Sequence, residues 1–196
     1  MSLHLDKSPA RFWRRAAPRS AGASAVDGGE TSGSSGLADM ASSGNGGDFH
    51  IPALEAMLDI SVTYSQDRVA FERPISKFQA VQHNLARLAG EVAAAVCAAA
   101  SAADALQRAG TFDNEVFFEI AAAKIRVGEA AGEGAGIAHQ VHGAIGFTME
   151  HILQRYSRRV WSWRDEFGSE SAWAVRLGEA VAANGGDELW ASLAAR

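Results

Sequence analysis

A guanidinium can fork two donors onto the oxygens of a phosphate, and Arg68 stands where an amphipathic segment is about to be broken by Pro74. Taken alone it reads first as a solvated arginine at a helix end. Gln140, Gly143 and Gly146 fall in QVHGAIG, just after a long apolar stripe. On physics alone G-x-x-G after a helix is a C-cap and turn, although glycines there also let a ligand come close to the backbone. His139 and His142, three apart, raise the question of a metal. No third ligand lies at a useful spacing for a zinc site, so no metal is assigned. In WRDEFGSES, Ser169 is a hydroxyl that reads as a helix N-cap. Phe78 is a core position by its period. Cys97 is the sole cysteine, which excludes an intramolecular disulfide and fits a reducing compartment.

These residues need elements to hold them. A first helix is expected from about Pro52, suited to a first helical turn, through Leu54, Leu58, Val62 and Ser65 to Val69. A second follows Ser76 as cap, with Phe78, Val81, Leu85, Leu88, Val92, Ala95 and Ala99 on one face at 3-4 spacing. The third spans about Asn114 to Val141, its stripe formed by Val116, Ile120, Ala123, Val127, Ala130, Gly134, Ile137 and Val141. Gly128, Gly132, Gly134 and Gly136 each weaken that helix by roughly 1 kcal/mol relative to alanine, so a close neighbour is expected beside them. After the GAIGF turn a fourth helix should run from about Met149 to Glu166 with Ile152, Tyr156, Val160 and Trp163 inward. A fifth begins near Ser169, and a short last one carries Leu189, Trp190 and Leu193. No strand pattern competes. The fold class is therefore all-α: an up-down four-helix bundle with one or two extra short C-terminal helices.

Ahead of the bundle, residues 21–47 hold eight glycines and six serines among 27 positions, the composition of a flexible coil. Two regions are expected: a disordered Gly/Ser-rich tail over 1–49 and the bundle over 50–196. The arginine-rich start, RFWRRAAPRSAGASA, shares features with transit peptides but leads into no apolar h-region, and it is read as part of the tail. With a net charge of -5 and a pI near 5.7, the 196-residue chain lacks the basic stripe of a nucleic-acid binder. No unbroken apolar run of membrane-spanning length occurs either, so a cytoplasmic location and no membrane partner are expected.

Three segments in order, DRVAFERPISKFQAVQHNLA at 67–86, QVHGAIGFTMEHILQRYSRR at 140–159 and WRDEFGSESAWAVRLG at 163–178, resemble the C-terminal helical domain of the acyl-CoA dehydrogenases. These are flavoenzymes that oxidise the Cα–Cβ bond of acyl thioesters. The resemblance covers about 51–183. It implies that Arg68 reaches the diphosphate of an FAD held mainly by a neighbouring subunit, and that Phe78 and Gln79 lie against that nucleotide. It further implies that Gln140, Gly143 and Ala144 come close to its adenosine part, and that Ser169, at the family's threonine position, bonds a flavin or backbone group.

The chain departs from the pattern in several places. Glu72 stands at a usual glycine, and Ala144 replaces the second glycine of Q-x-x-G-G-x-G, which is tolerable if its φ is negative. Phe167 occupies the position of the glutamate that removes the α-proton in many members. Glu166, one residue earlier, would point about 100° away around a helix. Some relatives carry the base near the start of the first helix, where this chain reads MASSGNGG, and Glu55 lies too far along. The family's N-terminal helical and middle β-domains have no counterpart here. The resemblance thus implies an FAD-linked oxidoreductase of fatty or steroid-derived acyl-CoA whose own catalytic competence is open. Two readings stand: a truncated or partner-dependent subunit that assembles as a homo-oligomer or with a full-length acyl-CoA dehydrogenase and meets acyl-CoA only through that partner, or a non-catalytic helical oligomerisation module or remnant of an acyl-CoA dehydrogenase.

Overall fold

The computed structural model describes residues 50–194; the expected Gly/Ser-rich tail over 1–49 lies outside the described residues. Six α-helices account for most of the described residues: α1 (His50–Asp67), α2 (Gln79–Ala109), α3 (Asn114–His142), α4 (Leu153–Arg164), α5 (Glu170–Asn184) and α6 (Glu188–Ala194). The all-α expectation holds. Helices α1, α2, α3 and α4 surround one core, α2 lies along α3, and α5 packs on α3. At the centre sit Leu54, Met57, Leu88, Val127, Ala130, Ala135, Leu153 and Val160.

Capping explains most of the boundaries. α2 ends at Gly110, left-handed at φ 66°, whose N–H bonds the Leu106 carbonyl at 3.0 Å. The Asp113 carboxylate accepts from Val116 N at 2.9 Å and starts α3, the usual role of an N-cap aspartate. Against the expectation that no such run occurs, α2 is long and apolar enough to cross a membrane by length and composition; its Leu88, Val92, Ala95, Ala102 and Ala105 are buried against the bundle and most of its other residues are half-buried or exposed.

Four local expectations are corrected. α1 begins at His50 and stops at Asp67, because the chain then turns into a two-residue antiparallel hairpin, β1 (Val69–Ala70) and β2 (Arg73–Pro74), paired Val69 with Pro74 and Ala70 with Arg73. Its turn residues Phe71 and Glu72 have φ of 52° and 65°. The buried face of α1 is Leu54, Met57, Ser61 and Ser65, with Leu58 and Val62 half-buried. Ser61 and Ser65 are tolerated in the core because their hydroxyls donate to the Met57 and Val62 carbonyls at 2.7 Å.

Ser76 does not cap α2; it lies in a 3-10 turn (Ile75–Lys77), its carbonyl accepts from Gln82 Nε2, and Phe78 is the N-cap residue. α4 begins only at Leu153, with Met149 and Ile152 exposed and Leu153, Gln154, Ser157 and Val160 facing inward. The His151 Nδ1 accepts from Leu153 N at 3.2 Å at this start; of the expected inward face, Val160 is buried, Tyr156 and Trp163 pack half-buried against the core, and Ile152 is exposed.

Candidate functional site

The candidate residues gather at two ends of the bundle. At the first, Tyr64 in the last turn of α1 stacks on His142 in the last turn of α3, with ring centroids 4.4 Å apart, and its hydroxyl donates to the His142 carbonyl at 3.3 Å. Arg68 and Gly143, just beyond these two residues, are therefore brought to the same end. Arg68 is exposed; its N–H bonds Tyr64 O at 2.9 Å and its carbonyl accepts from Ile75 N at 2.8 Å, which anchors the hairpin base. Glu72 in the hairpin turn is left-handed, a conformation that explains why glycine suits this position. The half-buried Phe78 ring has the Arg73 guanidinium 4.2 Å above it and the edge of Phe71 at 6.2 Å. Gln79 is exposed at the first turn of α2.

Gln140 is exposed and lines a shallow groove of about 220 Å³ between α2 and α3, together with Asn84, Arg87, Gly132, Glu133, Gly136 and Ile137. Gly143 ends α3 at φ 65° and ψ -147°. No atom lies within 4 Å of where its Cβ would be, so its backbone is open to a ligand. Ala144 is absent from the positive-φ residues, which satisfies the condition for alanine there. The two histidines of this region are buried: His139 Nε2 lies 2.9 Å from Ser157 Oγ, and His142 Nδ1 donates to the Ala138 carbonyl at 2.8 Å. Among the described residues no three His, Cys, Asp or Glu side chains converge as a metal would require.

At the other end, His50 meets Trp163 edge-on at 5.6 Å. The α1 stretch from His50 to Tyr64 measures about 20 Å at about 1.5 Å per residue, so the Asp165–Ser169 corner is separated from Arg68 and Gly143 by that order of distance within one chain. Arg164 pairs with Glu170 through two hydrogen bonds, Nε to Oε2 at 2.8 Å and Nη2 to Oε1, a bidentate geometry that resists rotation. Lys124 Nζ donates to the Arg164 carbonyl at 2.9 Å. Burial pushes the Lys124 ammonium below its ordinary range, and Asp165 and Glu166 partly offset this. The Glu166 side chain is exposed. Phe167 is left-handed at φ 61°, its carbonyl accepts from the buried Trp173 Nε1 at 3.0 Å, and Ser169 caps α5 by accepting from Ala172 N at 3.4 Å.

Sequence reasoning missed the Arg164–Glu170 clamp and Lys124, although the glycine stripe was a signal for them. A Cβ at Gly128 would stand 3.0 Å from Glu170 Oε2, and one at Gly132 3.3 Å from Arg164 Nη1. Gly134 makes room for Leu54 and Leu88, whereas Gly136 has nothing within 4 Å.

The family model for the acyl-CoA dehydrogenase C-terminal domain matches residues 50–171. The chain belongs to the acyl-CoA dehydrogenase family. Members of this family are FAD-dependent flavoproteins. The chain is 36% identical over 110 residues to acyl-CoA dehydrogenase IpdE2 of Mycolicibacterium smegmatis, covering 56% of this chain and 32% of that protein. It is 36% identical over 104 residues to the glutaryl-CoA dehydrogenase of Desulfococcus multivorans, covering 53% and 26%. Among solved structures, the ChsE4–ChsE5 complex of Mycobacterium tuberculosis superposes with a TM-score of 0.67 at 25% identity over 75% of this chain and 38% of that one. The butyryl-CoA dehydrogenase of Megasphaera elsdenii gives 0.62 at 26% identity over 67% and 33%. The chain thus spans about a third of the length of these acyl-CoA dehydrogenases.

Proposed function

We propose that this acyl-CoA dehydrogenase bundle supplies one side of an FAD site whose other side belongs to a full-length acyl-CoA dehydrogenase partner, and that the assembly oxidises an acyl-CoA thioester at Cα–Cβ. The observation that carries this is the gathering of Arg68, Gln79, Gln140 and the open backbone at Gly143 at one end of the bundle, with a groove beside Gln140. An exposed guanidinium suits a diphosphate, and an unobstructed glycine beside amide side chains suits a nucleoside. Phe78 would contribute apolar surface and Ala144 a backbone contact, whereas Ser169, at the opposite end of the bundle, caps α5. Bound FAD would supply the acceptor for the hydride from Cβ.

This chain's own part is binding and orientation. Phe167 cannot take a proton, and the exposed Glu166 acts on Lys124 at the opposite end of the bundle, so removal of the α-proton falls to the partner. The absence of a carboxylate at 167 favours the second reading, a non-catalytic oligomerisation module.

Flavin titration of the full chain, alone and mixed with a full-length acyl-CoA dehydrogenase from the same genome, separates the two. FAD binding in the mixture that Arg68→Ala lowers at least about tenfold, the loss of one charge-assisted contact, supports the shared site. A folded oligomer that takes up no flavin in either case leaves the oligomerisation module.

A further inference from the structure

Gly146 is the buried residue of the Gly143–Phe147 turn, and its Cα faces the His139 ring. A Cβ added there would lie 3.1 Å from His139 Nδ1, and at the same distance from His142 Cβ and Leu153 Cδ2. His139 is 5% exposed. Its Nε2 meets Ser157 Oγ, whose own proton goes to the Gln154 carbonyl at 3.4 Å. Both contacts are made together when Ser157 accepts from Nε2–H, the tautomer that leaves a lone pair on Nδ1. That Nδ1 is buried with no hydrogen-bond partner among the described residues. Phe147, the last residue of the turn, stacks on the same ring at 4.1 Å and 17°, and Trp161 of α4 does so at 5.8 Å and 23°.

We propose that His139 is the positioning residue of the Gly143–Phe147 turn: the turn closes on its neutral imidazole and opens when the ring takes up a second proton. A proton on Nδ1 would face the Gly146 backbone with no acceptor, and water reaches it only if the turn lifts. Among the described residues no carboxylate acts on the His139 ring. α3 itself brings His142, the bend before α4 brings His151, α1 brings Tyr64 against His142, and α4 presents Ser157 and Trp161. The α4 arginines Arg155, Arg158 and Arg159 are exposed.

Burial holds His139 below the ordinary histidine range; His142 is held down by burial first and then by the neighbouring His151 and His139. Stacked rings favour a cation, but Phe147 is 66% exposed and cannot replace the missing acceptor. The consequence for ligand binding rests on the shared FAD site proposed above: Gly143 and Ala144 travel with the turn, so nucleotide affinity falls in acid.

The test is amide exchange in the full chain across the mildly acidic range, read at Thr148, whose N–H closes the turn onto the Ile145 carbonyl at 3.0 Å. Below about pH 6.5, protection corrected for intrinsic exchange should fall about tenfold per pH unit until the lowered His139 value is passed. His139→Gln keeps a donor for Ser157 and should be flat, whereas His151→Gln should behave as wild type. Full acid sensitivity in His139→Gln overturns the proposal. Should that variant fail to fold, imidazole nitrogen shifts of the wild-type chain decide: a proton on Nδ1 at neutral pH, or His139 titrating while Thr148 protection stays level, overturns it as well. Thr148 opening in acid with flavin affinity unchanged supports the His139 latch and counts against the turn's share in the nucleotide site.

Discussion

Glu72 is a single residue with two disadvantages: its left-handed backbone costs a non-glycine residue about 1 kcal/mol, and it puts a carboxylate in the hairpin that holds Arg68. Glu72→Gly should raise the unfolding free energy by about 1 kcal/mol in chemical denaturation and tighten FAD binding in the partner mixture. Weaker binding would show that Glu72 does not oppose the diphosphate. Trp173 works in the other direction. Its ring is 1% exposed and its Nε1 donates to the Phe167 carbonyl. Trp173→Phe, which keeps most of the apolar volume and drops the donor, should destabilise the chain by about 1–3 kcal/mol and loosen the Phe167 corner in amide exchange. An unchanged corner would assign Trp173 to packing alone.

At the scale of the element, α3 tests whether a glycine serves its helix or a neighbour. Gly128 lies under Glu170 and Gly136 under nothing. Gly128→Ala should lower stability by about 1–3 kcal/mol, because the added methyl displaces the carboxylate clamped to Arg164. Gly136→Ala should raise it by about 0.5–1 kcal/mol through helix propensity. Thermal melts of the two variants should therefore move in opposite directions, and shifts of the same sign would mean that α3 is not held to the α4–α5 corner as described.

For the whole molecule, His139 and His142 both have folded-state values below the ordinary one. The unfolded chain then binds protons first as pH falls, so their contribution is fully present above about pH 6.5 and is lost progressively toward the lowered folded values. The melting temperature should be lower at pH 5.5 than at pH 7.5, and His139→Gln should remove part of that difference. A melting temperature level across this window would contradict the buried, neutral state of the two rings.

Much of the bundle was legible because burial imposes a period. Leu88, Val92 and Ala95 on α2, and Ala123, Val127, Ala130, Gly134, Ile137 and Val141 on α3, recur every three or four residues and are buried as that spacing requires. Arg68, Gln79, Gln140 and Gly143 could be singled out because the motifs around them carried the family resemblance. The sequence by itself thus determined the helical class, the long helices and the family motifs.

Only the tertiary structure decided the rest, since long-range contact leaves no period in the chain. It brought Tyr64 onto His142 across 78 residues of sequence, set Glu170 over Gly128 and started α4 at Leu153 rather than near Met149. It also placed the Glu166–Ser169 corner at the far end of α1 from Arg68, because α1 is a rigid rod whose two ends cannot meet within one chain.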